Sequence, residues 1–180
     1  DALPISIEND QKEISSMLSK FAQILRYQIQ KSNQIVMISE ELSYLERYLY
    51  LQKVRFMDSF EYVIECQESV KTCKIHKMIF QPLIENAIIH GYARIRHGGF
   101  LRIKIYHIDE SRICFSITDN GRGMSQEKVG EVFGEGGSTP SIGVSNVLAR
   151  LKLYYGDSYR LEVHSEESRG TSIKITIPKM

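Results

Sequence analysis

One hundred and eighty residues, 42% hydrophobic and 25% charged, suffice for one large or two small domains with a real core and exclude a mainly disordered chain. Twenty-three basic against 22 acidic residues leave a formal charge of +1, so no polyanion-binding field covers the surface and nucleic acid is not an expected partner. Apolar runs stop at about four residues, far short of the ~18 a membrane span needs, and the opening DALPISIENDQ lacks the basic start and apolar centre of a signal peptide.

The first predicted element is a helix over residues 13–31, where Ile14, Met17, Leu18, Phe21, Leu25 and Ile29 recur at three- and four-residue spacing. Ser32-Asn33 interrupts it. A second helix is expected from Ser39, read as its N-cap, with Leu42, Leu45, Leu49, Gln52 and Phe56 as its stripe. Together they predict a helical hairpin that either packs its own core or takes a partner helix from another chain. A division near residue 58 gives a helical segment 1–57 and a mixed domain 58–180.

From Phe60 the apolar period becomes two. Phe60, Tyr62 and Ile64 alternate with polar neighbours, as do Leu101, Ile103 and Ile105, then Ile113, Phe115 and Ile117. Leu161 and Val163, and finally Ile173, Ile175 and Ile177, complete five predicted strands. Helices are expected at about residues 75–91 and 143–154. Five strands with helices segregated to one face predict an α+β two-layer sandwich with a mixed sheet. The Gly/Ser-rich stretch from Phe133 to Gly143 reads as a mobile loop.

Cys66, Cys73 and Cys114 form no C-x-x-C pair and read as reduced thiols. The five histidines, His76, His90, His97, His107 and His164, include no H-E-x-x-H spacing, so a metal held by protein side chains alone is not expected.

Four short motifs carry chemistry. In Gln81-Pro82-Leu83-Ile84-Glu85-Asn86-Ala87-Ile88-Ile89-His90, an asparagine in mid-helix sacrifices propensity, either to face water or to serve as a ligand, and His90 lies one turn beyond it. Asp119-Asn120-Gly121-Arg122-Gly123 follows a strand directly, as a hairpin turn does; it also sets a fixed acceptor beside backbone that a flat ligand can approach. Gly143-Val144-Ser145-Asn146 opens a helix after the Gly-rich loop, where free N–H groups form a phosphate cradle. Gly170-Thr171 heads the last strand.

In this order and spacing the motifs resemble the N, G1, G2 and G3 boxes of the Bergerat ATP-binding fold shared by histidine kinases, gyrase, Hsp90 and MutL. The closer resemblance is to LytS-type sensor histidine kinases. It rests on Gln81 to Gly91, on Glu40-Glu41-Leu42, Tyr48-Leu49, Gln52 and Arg55-Phe56, on Leu25-Arg26-Tyr27, and on Gly143, Asn146, Arg150, Leu151, Tyr155 and Gly156. It covers residues 13–178.

The resemblance implies an ATP-binding catalytic domain that transfers the γ-phosphoryl to a histidine and thence to a response-regulator aspartate. It implies Asn86 as the Mg²⁺ ligand, Asp119 as acceptor of the adenine amine, and Gly121 and Gly123 against the purine. Gly143, Val144 and Asn146 would hold phosphates, with His90 a further phosphate contact, Thr171 near the adenine, and Glu85 assisting phosphoryl transfer. A full-length homodimer on the cytoplasmic side of a membrane-bound bacterial kinase is implied too. Two departures stand out. Ser141 replaces the first glycine of the G2 box, and the subfamily's Asn-Pro-His-Phe-Leu-Phe-Asn acceptor motif is absent. The expectation is therefore a fragment cut downstream of the phosphorylated histidine, which would lie on a helix of its own or of a sister chain. A gyrase-type ATPase needs a water-activating Glu four residues before Asn86, where Pro82 stands. A serine kinase of the anti-sigma type, which lacks the hairpin, and a nucleotide-binding scaffold without catalysis are the remaining readings.

Overall fold

The computed structural model describes residues 3–29, 34–91, 98–134 and 142–180. Helix α1 (Leu3–Ile29) begins well ahead of residue 13, and the expected break at Ser32-Asn33 lies outside the described residues. A short strand β1 (Ile35–Met37) leads straight into helix α2 (Ile38–Arg55). The two helices run antiparallel: Tyr27 stacks on Tyr44 at 4.9 Å, and Lys20 sits 4.6 Å over the Tyr50 ring.

Ser39 is not the cap of α2. The cap is Met37, whose N–H donates to Glu40 Oε1 at 3.1 Å. The N–H groups of Ile38 and Ser39 donate to the Cys73 and Lys71 carbonyls instead (2.9 and 3.0 Å). A neighbouring loop thus satisfies helix-start donors that a capping hydroxyl otherwise takes.

The α2 stripe is buried at Leu42, Leu45 and Leu49, with Gln52 and Phe56 half-buried. The α1 stripe is not. Leu25 is 41% exposed and Ile29 83%, with Ile14, Leu18 and Phe21 between them; only Ile24 of the described α1 side chains is buried. Among the described residues α1 gives the core Ile24, with Tyr27 packed against it, and most of the predicted stripe faces outward.

The five predicted strands are β2 (Phe60–Cys66), β4 (Gly99–His107), β5 (Arg112–Asp119), β6 (Arg160–Glu166) and β7 (Gly170–Pro178). They form one mixed sheet in the order β2-β4-β5-β7-β6, parallel between β2 and β4 and antiparallel elsewhere. Leu101, Ile103, Ile113, Ile117, Ile175 and Ile177 are buried, while Arg102, Thr118 and Lys174 on alternate positions are exposed, as period-two patterning requires.

Besides β1, two further elements leave no period in the sequence. Strand β3 (Lys74–His76) pairs antiparallel with β1, so His76 lies on a strand and not at a helix start. Three residues are too few to show an alternation against helical neighbours. Helix α4 (Gln126–Phe133) starts at Ser125, whose hydroxyl accepts from Lys128 N–H at 3.2 Å. The expected helix at 75–91 is α3 (Gln81–Asn86), continued by one wide turn over Ala87–Gly91, and α5 (Ile142–Tyr155) matches the last expected helix. Leu83, Ile84 and Ile88 pack with Val144, Val147 and Leu151 in the core, and Phe80 stacks on Phe115 of the sheet at 3.8 Å.

Candidate functional site

Asp119 is the last residue of β5 and is 8% exposed. Register sets it opposite Leu101 on β4 and Thr171 on β7. Burial pushes its carboxyl above the ordinary carboxylate value, and hydrogen bonds from the Gly121 and Thr171 N–H groups pull it back. The Gly121 bond is 2.8 Å long. Two of about four acceptor positions are taken by backbone donors, which leaves capacity for a further N–H. Asn120 holds the turn: its Oδ1 accepts from Phe100 N–H at 2.6 Å and its Nδ2 donates to the Gly98 carbonyl at 2.9 Å.

The glycines here are dictated by close approach. A Cβ at Gly121 would lie 2.6 Å from Gly91 Cα, and one at Gly123, where φ is +62°, would overlap the Glu166 carbonyl oxygen. Arg122 N–H donates to the Gly91 carbonyl at 3.2 Å. The end of the α3 segment is thus locked against the Asp119 turn.

Asn86 ends α3 on the other side. A Cβ at Gly143, in the first turn of α5, would lie 3.7 Å from Asn86 Oδ1 and 3.6 Å from Pro82 Cβ. These are ordinary contact distances, and they place the first turn of α5 directly beside the asparagine amide. Val144 is buried and Asn146 exposed. Glu85, next to Asn86, accepts from Gln81 Nε2 at 2.6 Å and hydrogen-bonds Tyr48 of α2, so it faces the hairpin. The structure therefore brings Asn86 beside Gly143 and Asp119 beside Gly121 and Thr171. His90 lies on the wide turn after Asn86, but its side chain, the loop residues 135–141 and Ser141 within them lie outside the described part.

One residue of the site belongs to none of the four motifs. Ser165 on β6 is buried; its hydroxyl accepts from Met124 N–H at 2.8 Å and lies 2.9 Å from Thr171 Oγ1. It ties the chain beyond Gly123 to the strand opposite Asp119. Its one mark in the sequence is a polar residue in phase with the inward positions of Leu161 and Val163.

The donor set fits magnesium only as a shared ligand. Among the described residues no group of three or more His, Cys, Asp or Glu could hold a metal, so a cation here would rest on the Asn86 oxygen, waters and phosphate oxygens. A purine amine fits the remaining acceptor capacity of Asp119.

Residues 3–60 match the histidine kinase family model, and residues 75–180 match the model for histidine kinase-, DNA gyrase B- and HSP90-like ATPases. The chain is 34% identical over 170 residues to the sensor histidine kinase YesM of Bacillus subtilis, covering 94% of this chain and 28% of that protein. It spans about a third or less of the length of the curated relatives it matches. Its fold is similar to the histidine kinase domain of the Erythrobacter litoralis blue-light activated histidine kinase (TM-score 0.61, 16% identity, 90% of this chain and 74% of that one). It is also similar to histidine kinase ThkA, solved in complex with the response regulator protein TrrA (TM-score 0.59, 17% identity, 94% and 49%). The second family match spans more than half of the chain, so the chain belongs to the histidine kinase-, DNA gyrase B- and HSP90-like ATPase family, as the ATP-binding catalytic region of a histidine kinase.

Proposed function

We propose that this chain transfers the γ-phosphoryl of ATP to a histidine on a helix upstream of residue 1, from which it passes to an aspartate of a response regulator. The observation that carries this reading is the buried Asp119 carboxylate, bonded to Gly121 and Thr171 on a turn that packs against Gly91, at the end of the segment that carries Asn86. Asp119 selects adenine; Gly121 and Gly123 admit the flat base; Thr171, joined to Ser165, borders it. Asn86 supplies one oxygen to Mg²⁺, which when bound neutralises phosphate charge. The amides of Gly143 and Val144, with Asn146 and His90, hold phosphate oxygens at the positive end of α5. Glu85, facing the hairpin, orients the acceptor side of the transfer. Positioning and charge neutralisation are most of what phosphoryl transfer asks of a protein.

The LytS-type branch is the finer assignment we favour, on the Gln81–Gly91 and Gly143–Gly156 matches. In this reading residues 1–57 are the remainder of a dimerisation and acceptor region, and 58–180 are the catalytic domain. The exposed α1 stripe receives the same helix of a second copy, and the whole protein is a membrane-bound sensor with this region on the cytoplasmic side. Incubation with γ-labelled ATP and Mg²⁺ tests the reading. The 180-residue chain takes up no label, an N-terminally extended chain bearing the acceptor histidine takes up acid-labile, base-stable label, and Asn86→Ala removes it. Label on residues 1–180, or undiminished transfer in Asn86→Ala, overturns it.

A further inference from the structure

We propose that Glu41 and Arg150 are positioning residues for the metal side of this cleft, joined through the turn Lys77–Phe80 into a buried latch between the hairpin and the nucleotide site. The inference rests on the nucleotide reading of the cleft. Lys77 is fully buried and Glu41 is 4% exposed. The Tyr27 hydroxyl donates to Glu41, and the Lys77 ammonium donates to the Tyr27 carbonyl while lying 4.1 Å above the Tyr27 ring. Met78 N–H donates to Glu41 Oε1 at 2.9 Å. From the other side, the Arg150 guanidinium on α5 donates to the Met78 carbonyl at 3.1 Å and the Lys77 carbonyl at 2.6 Å. Three elements, α1, α2 and α5, converge on two consecutive residues of one turn.

That turn is not relaxed. Met78 has φ +56°, a left-handed conformation that a non-glycine residue holds only when its surroundings over-determine it. Here Glu41 takes its N–H and Arg150 its carbonyl. The turn ends where α3 begins, at Gln81, and α3 carries Asn86. Arg150 stands seven residues, about 10 Å of helix rise, after Gly143 on α5, and Gly143 abuts Asn86. Both walls of the metal side are therefore referenced to one cluster that the hairpin completes. An apolar cluster of this volume holds two segments together without burying charge. A charged cluster with forked, directional bonds holds them in one register.

The experiment uses the intact 180-residue chain with Glu41→Gln, which keeps an acceptor for Tyr27 and Met78 but removes the charge, and Arg150→Lys, which removes the fork. Amide hydrogen exchange without nucleotide is expected to rise about tenfold over residues 81–91 in both variants, with β5 and β7 unchanged. No rise, or a rise spread over the sheet, overturns the proposal. In calorimetry the factor by which Mg²⁺ strengthens ADP binding falls about three- to tenfold, while adenosine affinity, set by Asp119, stays the same. Equal loss for both ligands marks a merely structural role and also overturns it. If no nucleotide binds the unaltered chain, the reading of the cleft fails, and the exchange measurement still decides the latch.

Discussion

Replacing Asp119 by asparagine tests the adenine end of the cleft with the smallest change of shape. The carboxylate faces two backbone donors, Gly121 N–H at 2.8 Å and Thr171 N–H, and would take a third from the adenine amine. An amide has one oxygen and one NH₂ group, so either flip turns an N–H toward a donor. At least one charge-assisted bond is lost, worth about 1.5–3 kcal/mol, which is roughly a ten- to hundredfold weaker ADP complex. Stability carries a pH dependence of its own. Because burial raises the carboxyl's affinity for a proton in the folded chain, its contribution to stability is full below the ordinary carboxylate value of 3.8 and is lost as pH rises through the raised folded value. The amide of the variant has no charge to bury, so in Asp119→Asn this part of the pH dependence disappears. Adenosine binding needs the charged carboxylate, so in the unaltered chain it weakens as pH is lowered through the same window. Titration calorimetry with adenosine and ADP across that window, beside thermal melts, reads both effects. Unchanged affinity of Asp119→Asn at pH 7, with the fold intact, refutes the assignment of Asp119 as the adenine acceptor.

Gly123→Ala forces a Cβ onto the Glu166 carbonyl at φ +62°, which costs at least about 2 kcal/mol and lowers the melting temperature by roughly 4–8 °C. Gly130→Ala, on α4 with open space around its Cβ position, raises it slightly, and equal effects at the two positions would contradict the close-approach argument. Leu18→Glu with Phe21→Glu places charges on the exposed α1 stripe and converts a dimer to a monomer in sedimentation velocity. An unaltered chain that sediments as a monomer contradicts that pairing.

The five sheet strands are legible because Leu101, Ile103 and Ile105 and their counterparts alternate with polar neighbours on a two-residue period. The site motifs are legible for a different reason. Asp119, Gly121, Gly123 and Asn86 are residue types suited to backbone approach and ligand chemistry, and such choices stand out against propensity. The start of α2 is not legible, because its donors are satisfied by the Lys71 and Cys73 carbonyls, more than thirty residues away, and no local residue announces that.

The strands, the α2 stripe and the order of the nucleotide-binding motifs can be read along the chain, since each follows from spacing within a few residues. The pairing of β3 with β1, the brace of Ser165 on Thr171, the turn of Glu85 toward Tyr48 and the meeting of Glu41, Lys77 and Arg150 around Met78 come from packing in three dimensions. Most of these contacts join residues dozens of positions apart. A buried lysine or glutamate is tolerated only where its partners arrive from other elements, so its role is set by packing and leaves no period in the chain to be read.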